Sequence, residues 1–226
     1  MAWRGCFSQN SCIVPGPCRP DTLTTGPDAL TNPRKPGLCL ASSSPRRREI
    51  LTALGLRFSV QPVEVDEQPL AGETSEQMVV RLAVAKATAA GAAGKALVLG
   101  ADTAVVVDGQ VLGKPRGKAD AVAMLAQLSG RTHRVVTGVA LLGPAGAETT
   151  LGAADVRFRD IRQDEALAYW HSGEPRDKAG AYAIQGLGGV FVEAIEGSYS
   201  AVVGLPVFET AKLLSNRGID VIAKQA

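Results

Sequence analysis

A short apolar run, Leu38-Cys39-Leu40, gives way directly to Ala41-Ser42-Ser43-Ser44-Pro45-Arg46-Arg47-Arg48, and this junction constrains the fold more than any other stretch. It predicts a strand ending in a loop that opens a helix. Pro45 suits the first helical position, where a missing N–H costs nothing, and Ser44 before it suits the N-cap. A helix N-terminus carries free N–H groups and a partial positive charge, which favours anions and disfavours cations. Arginines in that first turn make sense when a polyanion neutralises them, and guanidinium groups match phosphate oxygens bidentately. The octapeptide reads either as a triphosphate cradle or as a Ser/Arg-rich surface loop with a Ser-Pro kinase-target site.

At 226 residues, 46% hydrophobic and 20% charged, the chain can form one large globular domain or two small ones. A net charge of +2 and 4% aromatic residues give neither the basic stripe nor the stacking platform of a nucleic-acid binder. The most apolar run, Ala96 to Val107, is broken by Asp102, so no membrane span is expected. The N-terminus shows no secretory pattern, and a cytoplasmic protein is the expectation. Cys6, Cys12, Cys18 and Cys39 fit no familiar zinc spacing and are expected to be reduced thiols. Residues 1–36 hold six prolines and no periodic apolar pattern, which predicts a disordered extension or the product of a misplaced start codon. The folded domain is expected over 37–226.

Within it, a helix is expected over Arg46 to Leu54, stopped by Gly55, and an extended segment at Phe58 to Val60. Thr74 and Gln77 form a capping box for a helix running to about Ala90. Ala96 to Gly100 reads as a buried strand ending in Ala101-Asp102-Thr103. Val105 to Val107, Asp108-Gly109 and Val111-Leu112 make a hairpin. Helices are expected at Ala119 to Leu128, Ile161 to His171 and Leu205 to Leu214, and strands at Val135 to Leu142, Thr149 to Phe158 and Val190 to Ile195. Mixed strands and helices with hairpins predict an α/β fold around a mixed sheet.

Asp102 is a carboxylate in an apolar strand, so it lines a cleft, pairs with a base or holds a metal, unless it merely caps a turn at the strand end. Thr103 offers a hydroxyl to substrate or metal. Lys86 and Lys114, taken alone, read as solvated surface lysines. The acidic loop from Val63 to Thr74 is a solvated loop or, through Glu67, a source of one hard-cation ligand. In Asp177 to Gly189, the glycines around Gln185 allow close backbone approach. Its amide matches the imide edge of uracil or thymine, unless it only satisfies backbone groups. There is no Walker A loop, Gly94-Lys95 lacking the spacing, and neither His133 nor His171 belongs to a nucleophile motif.

Together Ser42 to Arg47, Gly100-Ala101-Asp102-Thr103, Lys114-Pro115, Ser129-Gly130-Arg131-Thr132-His133, Asp177 to Gly189, and Gly197-Ser198-Tyr199 with Gly204-Leu205-Pro206 resemble the Maf family of nucleotide pyrophosphatases. These motifs occur in the family's order over about residues 38–217. The Lys178 to Gly186 run resembles the dTTP/UTP branch rather than the 7-methyl-GTP branch. The resemblance implies an elongated α/β fold with a mixed sheet, flanking helices and a central nucleotide-binding cleft, like that of inosine-triphosphate pyrophosphatases. It implies Asp102 as the proton acceptor activating water, and Ser42, Arg46, Arg47, Lys86 and Lys114 as the triphosphate contacts. Glu67 and Asp102 would hold a divalent cation, Mg²⁺ or Mn²⁺, while Arg46, Thr103 and Gln185 match positions associated with substrate choice. A homodimer is compatible with the resemblance. One departure is Gly117, where relatives often carry Asp. A nucleotide-binding regulator of septum formation is the alternative of a different class, against which the retained Asp102, Lys86 and Lys114 argue.

Overall fold

The computed structural model describes residues 37–91 and 97–222. The extension expected over 1–36, with Cys6, Cys12 and Cys18, lies outside the described residues, as do Gly94-Lys95 and Ala96. Seven strands form one mixed sheet: β1 (Leu38–Leu40), β2 (Phe58–Val60), β3 (Leu97–Val107), β4 (Gln110–Leu112), β5 (Thr132–Gly143), β6 (Gly146–Phe158) and β7 (Val192–Gly197). Their order is β2-β1-β3-β5-β6-β7, with β4 paired to β3. β1 is parallel to β2 and β3, and the remaining pairings are antiparallel. The helices are α1 (Pro45–Ala53), α2 (Ser75–Gly91), α3 (Lys118–Leu128), α4 (Gln163–His171), α5 (Tyr199–Val203) and α6 (Val207–Asn216). The chain therefore adopts the expected α/β class, a mixed sheet with flanking helices. Among the described residues, no helix is long and apolar enough to cross a membrane.

Local chemistry accounts for most boundaries. Ser44 caps α1 by accepting from the Arg47 N–H, with Pro45 in the first turn. At α2, Thr74 Oγ1 accepts from the Gln77 N–H at 3.2 Å and Gln77 Oε1 from the Thr74 N–H at 3.0 Å, a reciprocal capping box. Asp108 (φ 51°) and Gly109 (φ 74°) turn the hairpin between β3 and β4.

Two expectations need correction. The strand expected to stop at Asp102 runs unbroken for 11 residues, because both halves pair with β5 from Val98 opposite Leu142 to Val106 opposite Arg134. Asp102 is thus a mid-strand residue opposite Gly138, not a turn cap. The last helix starts later than Leu205: Gly204 (φ 121°) ends the short α5, and Pro206 caps α6.

Alternation along β3 sorts its side chains between two faces. Leu97, Leu99 and Ala101 join Leu38, Leu40, Leu51 and Leu214. On the other face Val98 packs with Ala83 and Ala87, and Ala104 with Met78, Val79 and Leu82, all from α2. Asp102 has the parity of that second face. So do Gly100 and Gly138. A Cβ on Gly100 would stand 2.8 Å from the Ala87 nitrogen, and one on Gly138 2.6 Å from the Val79 carbonyl. Two missing Cβ atoms let the α2 backbone lie directly on the sheet beside Asp102.

A third cluster forms around Phe158, Tyr182 and Phe191. His133 is buried among them, edge-on to Phe158 and Tyr182, and its Nε2 is 2.8 Å from the Tyr182 hydroxyl. Its Nδ1 is buried without a partner. Burial pushes His133 down to about 4, with Asp155 weakly opposing. An unfolded chain takes up that proton near pH 6.5, before the folded one does. The imidazole's contribution is therefore complete above pH 6.5 and is lost as pH falls toward 4. Folding stability is expected to drop by about 3 kcal/mol across that window. Urea unfolding at successive pH values checks this, and a His133→Gln variant with an undiminished slope would assign the loss elsewhere.

Candidate active site

A cleft of about 820 Å³ lies where the end of β1, the middle of β3 and residues 177–185 meet. That volume suits a small-molecule ligand. Every site residue singled out in the sequence, from Ser42 to Gln185, lines it.

One wall is the loop from β1 into α1. Arg47 is spent on this wall rather than left free. Its Nε donates to the Gly204 carbonyl at 2.8 Å, one terminal nitrogen to Ser42 Oγ at 3.1 Å and the other to Thr103 Oγ1 at 3.2 Å. Burial pulls its pKa down, and Asp102 and Glu67 oppose that shift. Ser42 Oγ also accepts from the Ser44 N–H at 3.2 Å. With two donors already aimed at it, the Ser42 hydroxyl proton is left for the cleft. Arg46 is the freer cation, with a buried Nε that has no partner. Burial lowers its pKa against the fields of Asp177, Glu49 and Glu174.

Thr103 has the opposite polarity. Thr137 Oγ1 lies 2.7 Å from the Ala201 carbonyl, which can only accept, so Thr137 spends its single proton there. At 2.9 Å, Thr103 must then donate to Thr137. With Arg47 donating to one lone pair, Thr103 has its other lone pair and no proton left for the cleft, so of the contacts its hydroxyl could offer, an acceptor one to a donor or a metal remains. Thr137 was not legible as a site residue. Its only signal is cross-strand register, directly opposite Thr103.

The second wall carries the ionised groups. Lys86 Nζ lies 2.6 Å from Asp102 Oδ1 and 2.5 Å from Glu67 Oε1. The solvated-lysine reading fails here: Lys86 is buried between two carboxylates because α2 lies so close to β3. Burial pushes the Glu67 carboxyl up, but Lys86, with Lys114 and Arg47 behind it, outweighs that and holds it below the usual carboxylate range. Glu67 is half exposed, so this pairing is partly screened. Lys114 is exposed at the rim, and its loop is tied to the far wall by the Gly180 N–H donating to the Gly113 carbonyl at 3.1 Å.

Glu67 and Asp102 already converge on a cation, the Lys86 ammonium, and each keeps an oxygen outside that contact. A hard-oxygen pair of this kind fits Mg²⁺ or Mn²⁺, which take one or two carboxylates and complete their shell with phosphate oxygens and water. Among the described residues no cluster of three or more His, Cys, Asp or Glu could hold a metal without such help.

The far wall holds Tyr182, Ile184 and the exposed Gln185. Ala181, buried and at φ 58°, is a strained residue of the kind that gathers at functional sites, and it follows Gly180, whose φ of 67° costs a glycine little. Gly117 is the N-cap of α3 without a side-chain bond, and Asp120 instead accepts from the Arg116 N–H at 2.9 Å. Its departure from the family pattern thus falls at a helix cap.

A protein of Hahella chejuensis called dTTP/UTP pyrophosphatase is 50% identical over 194 residues, covering 84% of this chain and 96% of the relative. One of Methylococcus capsulatus with the same description is 52% identical over 184 residues, covering 80% and 91%. Among solved structures, the Staphylococcus aureus Ham1 protein matches 54% of this chain and 71% of its own at 18% identity, with a TM-score of 0.41. The Maf-like protein family matches residues 37–217, nearly the whole described domain. The chain belongs to the Maf family.

Proposed function

We propose that this chain hydrolyses dTTP and UTP to the monophosphate and pyrophosphate. The observation that carries the reading is one cleft in which a buried carboxylate, Asp102, meets Lys86 on one side and the Ser42 and Arg46 wall on the other. The relatives at 50% and 52% identity, described as dTTP/UTP pyrophosphatases, support the same substrate class.

Asp102 uses Oδ1 on Lys86, and Oδ2 takes the proton of the attacking water. The oxygen of that water bonds to the α-phosphorus while the bond from it to the bridging oxygen breaks, and pyrophosphate leaves. Lys86 has three N–H groups and spends two on Glu67 and Asp102, which leaves one for a phosphate oxygen. The Ser42 hydroxyl, Arg46 and Lys114 offset the remaining charge, which is electrostatic stabilisation by groups already in place. Glu67 and Asp102 would hold the divalent cation, whose chemistry is to neutralise phosphate oxygens. Gln185 reads the base, since its amide can pair with an N–H flanked by carbonyls.

The test is release of pyrophosphate and monophosphate from a panel of NTPs, dNTPs and 7-methyl-GTP with Mg²⁺ or Mn²⁺. Selective release from dTTP and UTP is the expected result. Preference for 7-methyl-GTP would move the chain to the other branch. Tight nucleotide binding without turnover would make it a regulator of the kind linked to septum formation.

A further inference from the structure

The segment that carries Gln185 is held from behind by two residues that do not line the cleft. Tyr169, buried on α4, accepts from the Ala183 N–H at 3.1 Å and donates its own proton to Glu174 Oε1 at 2.6 Å. Glu174 Oε1 in turn accepts from the Gly188 N–H and Oε2 from the Leu187 N–H, both at 3.0 Å. One phenol–carboxylate pair thus grips the backbone two residues before Gln185 and two to three residues after it.

The glycines on the far side of Gln185 belong to this grip. A Cβ on Gly186 would press into the Glu174 carboxyl, 2.6 Å from its carbon, and one on Gly188 would stand 2.5 Å from the Tyr169 hydroxyl. The close approach expected here is real, but its partner is this pair rather than a ligand. The protonation pattern is consistent with the contacts. Burial raises the Tyr169 phenol, so it keeps its proton. Burial also pushes Glu174 up, but its hydrogen bonds from Tyr169, Gly188 and Leu187 outweigh that and keep it ionised.

We propose that Tyr169 and Glu174 are positioning residues for base selection, fixing residues 183–188 so that the Gln185 amide meets a uracil or thymine imide edge in one orientation. The proposal rests on the dTTP/UTP reading above. Without the pair, the backbone on both sides of Gln185 loses its fixed partners and the amide can turn to offer its NH₂ or its oxygen. Discrimination between a uracil edge, which donates at N3, and a cytosine edge, which accepts there, would then fade.

The experiment compares Tyr169→Phe and Glu174→Gln with wild type and with Gln185→Ala, by steady-state kinetics on dTTP, UTP and CTP and by thermal unfolding. In both variants KM for dTTP and UTP is expected to rise about 10-fold, the equivalent of one hydrogen bond, with kcat within about 3-fold of wild type. The UTP-to-CTP ratio of kcat/KM is expected to fall toward that of Gln185→Ala. A selective wild type with equally selective, folded variants overturns this proposal alone. An equal loss on all three nucleotides, or failure of both variants to fold, overturns it in favour of a purely structural pair. A wild type without activity on dTTP and UTP overturns the underlying reading and this proposal with it.

Discussion

Asp102→Asn is expected to lower kcat on dTTP and UTP by about 10²–10⁴-fold while leaving nucleotide binding within a few-fold of wild type. The substitution keeps the shape of the side chain and an oxygen that can accept from Lys86, but removes the lone pair that takes the proton from water. In titrations without a divalent cation, which Asp102 would help to hold, the two effects separate, because the contacts proposed for Ser42, Arg46 and Lys114 do not depend on the charge of Asp102. Calorimetric titration with a non-hydrolysable nucleotide, alongside single-turnover hydrolysis, measures both. An Asn variant that retains kcat would remove Asp102 from the role of base.

The second large effect comes from a residue that touches no substrate. Gly138→Ala would drive a Cβ to 2.6 Å from the Val79 carbonyl carbon and oxygen, where the obstruction is helix backbone and cannot rotate away. The expected cost is about 2–3 kcal/mol of folding stability, as for other overpacked cores. Because Gly138 is the direct partner of Asp102 in β5, the retreat of α2 also draws Lys86 away from the carboxylate. A fall in kcat at a temperature where the variant is still folded would accompany the lower urea midpoint. Unchanged stability and kcat together would show that α2 has room the structure does not give it.

Much of this architecture is legible in the amino-acid sequence. Ser44-Pro45 and the Thr74/Gln77 box mark helix starts through bonds between residues one turn apart, and Asp108-Gly109 marks a hairpin through its own backbone angles. Such signals are local, so they survive in the order of the letters. The strand through Asp102 was misjudged because what decides its length is pairing with β5, about 35 residues downstream. The role of Lys86 was hidden for a related reason. A lysine on an amphipathic helix has no visible partner until Gly100 and Gly138 are seen to bring that helix onto the sheet. Thr137 and the Tyr169–Glu174 pair had no signature of their own. Their importance lies in which lone pair faces which N–H, and this exists only in three dimensions.

The bond from Arg47 to the Gly204 carbonyl joins residues 157 positions apart in the chain. A ribosome delivers Arg47 157 residues ahead of Gly204, and contacts so distant in sequence are formed late. Until the segment around Gly204 docks, the guanidinium lacks the acceptor that holds its fork against Ser42 and Thr103. The wall that Arg47 frames is therefore completed only after the segment around Gly204 has been made. An unfinished chain carries its arginines and its carboxylate but not the frame that aims them, so a nascent copy is not yet a hydrolase for the triphosphates around it.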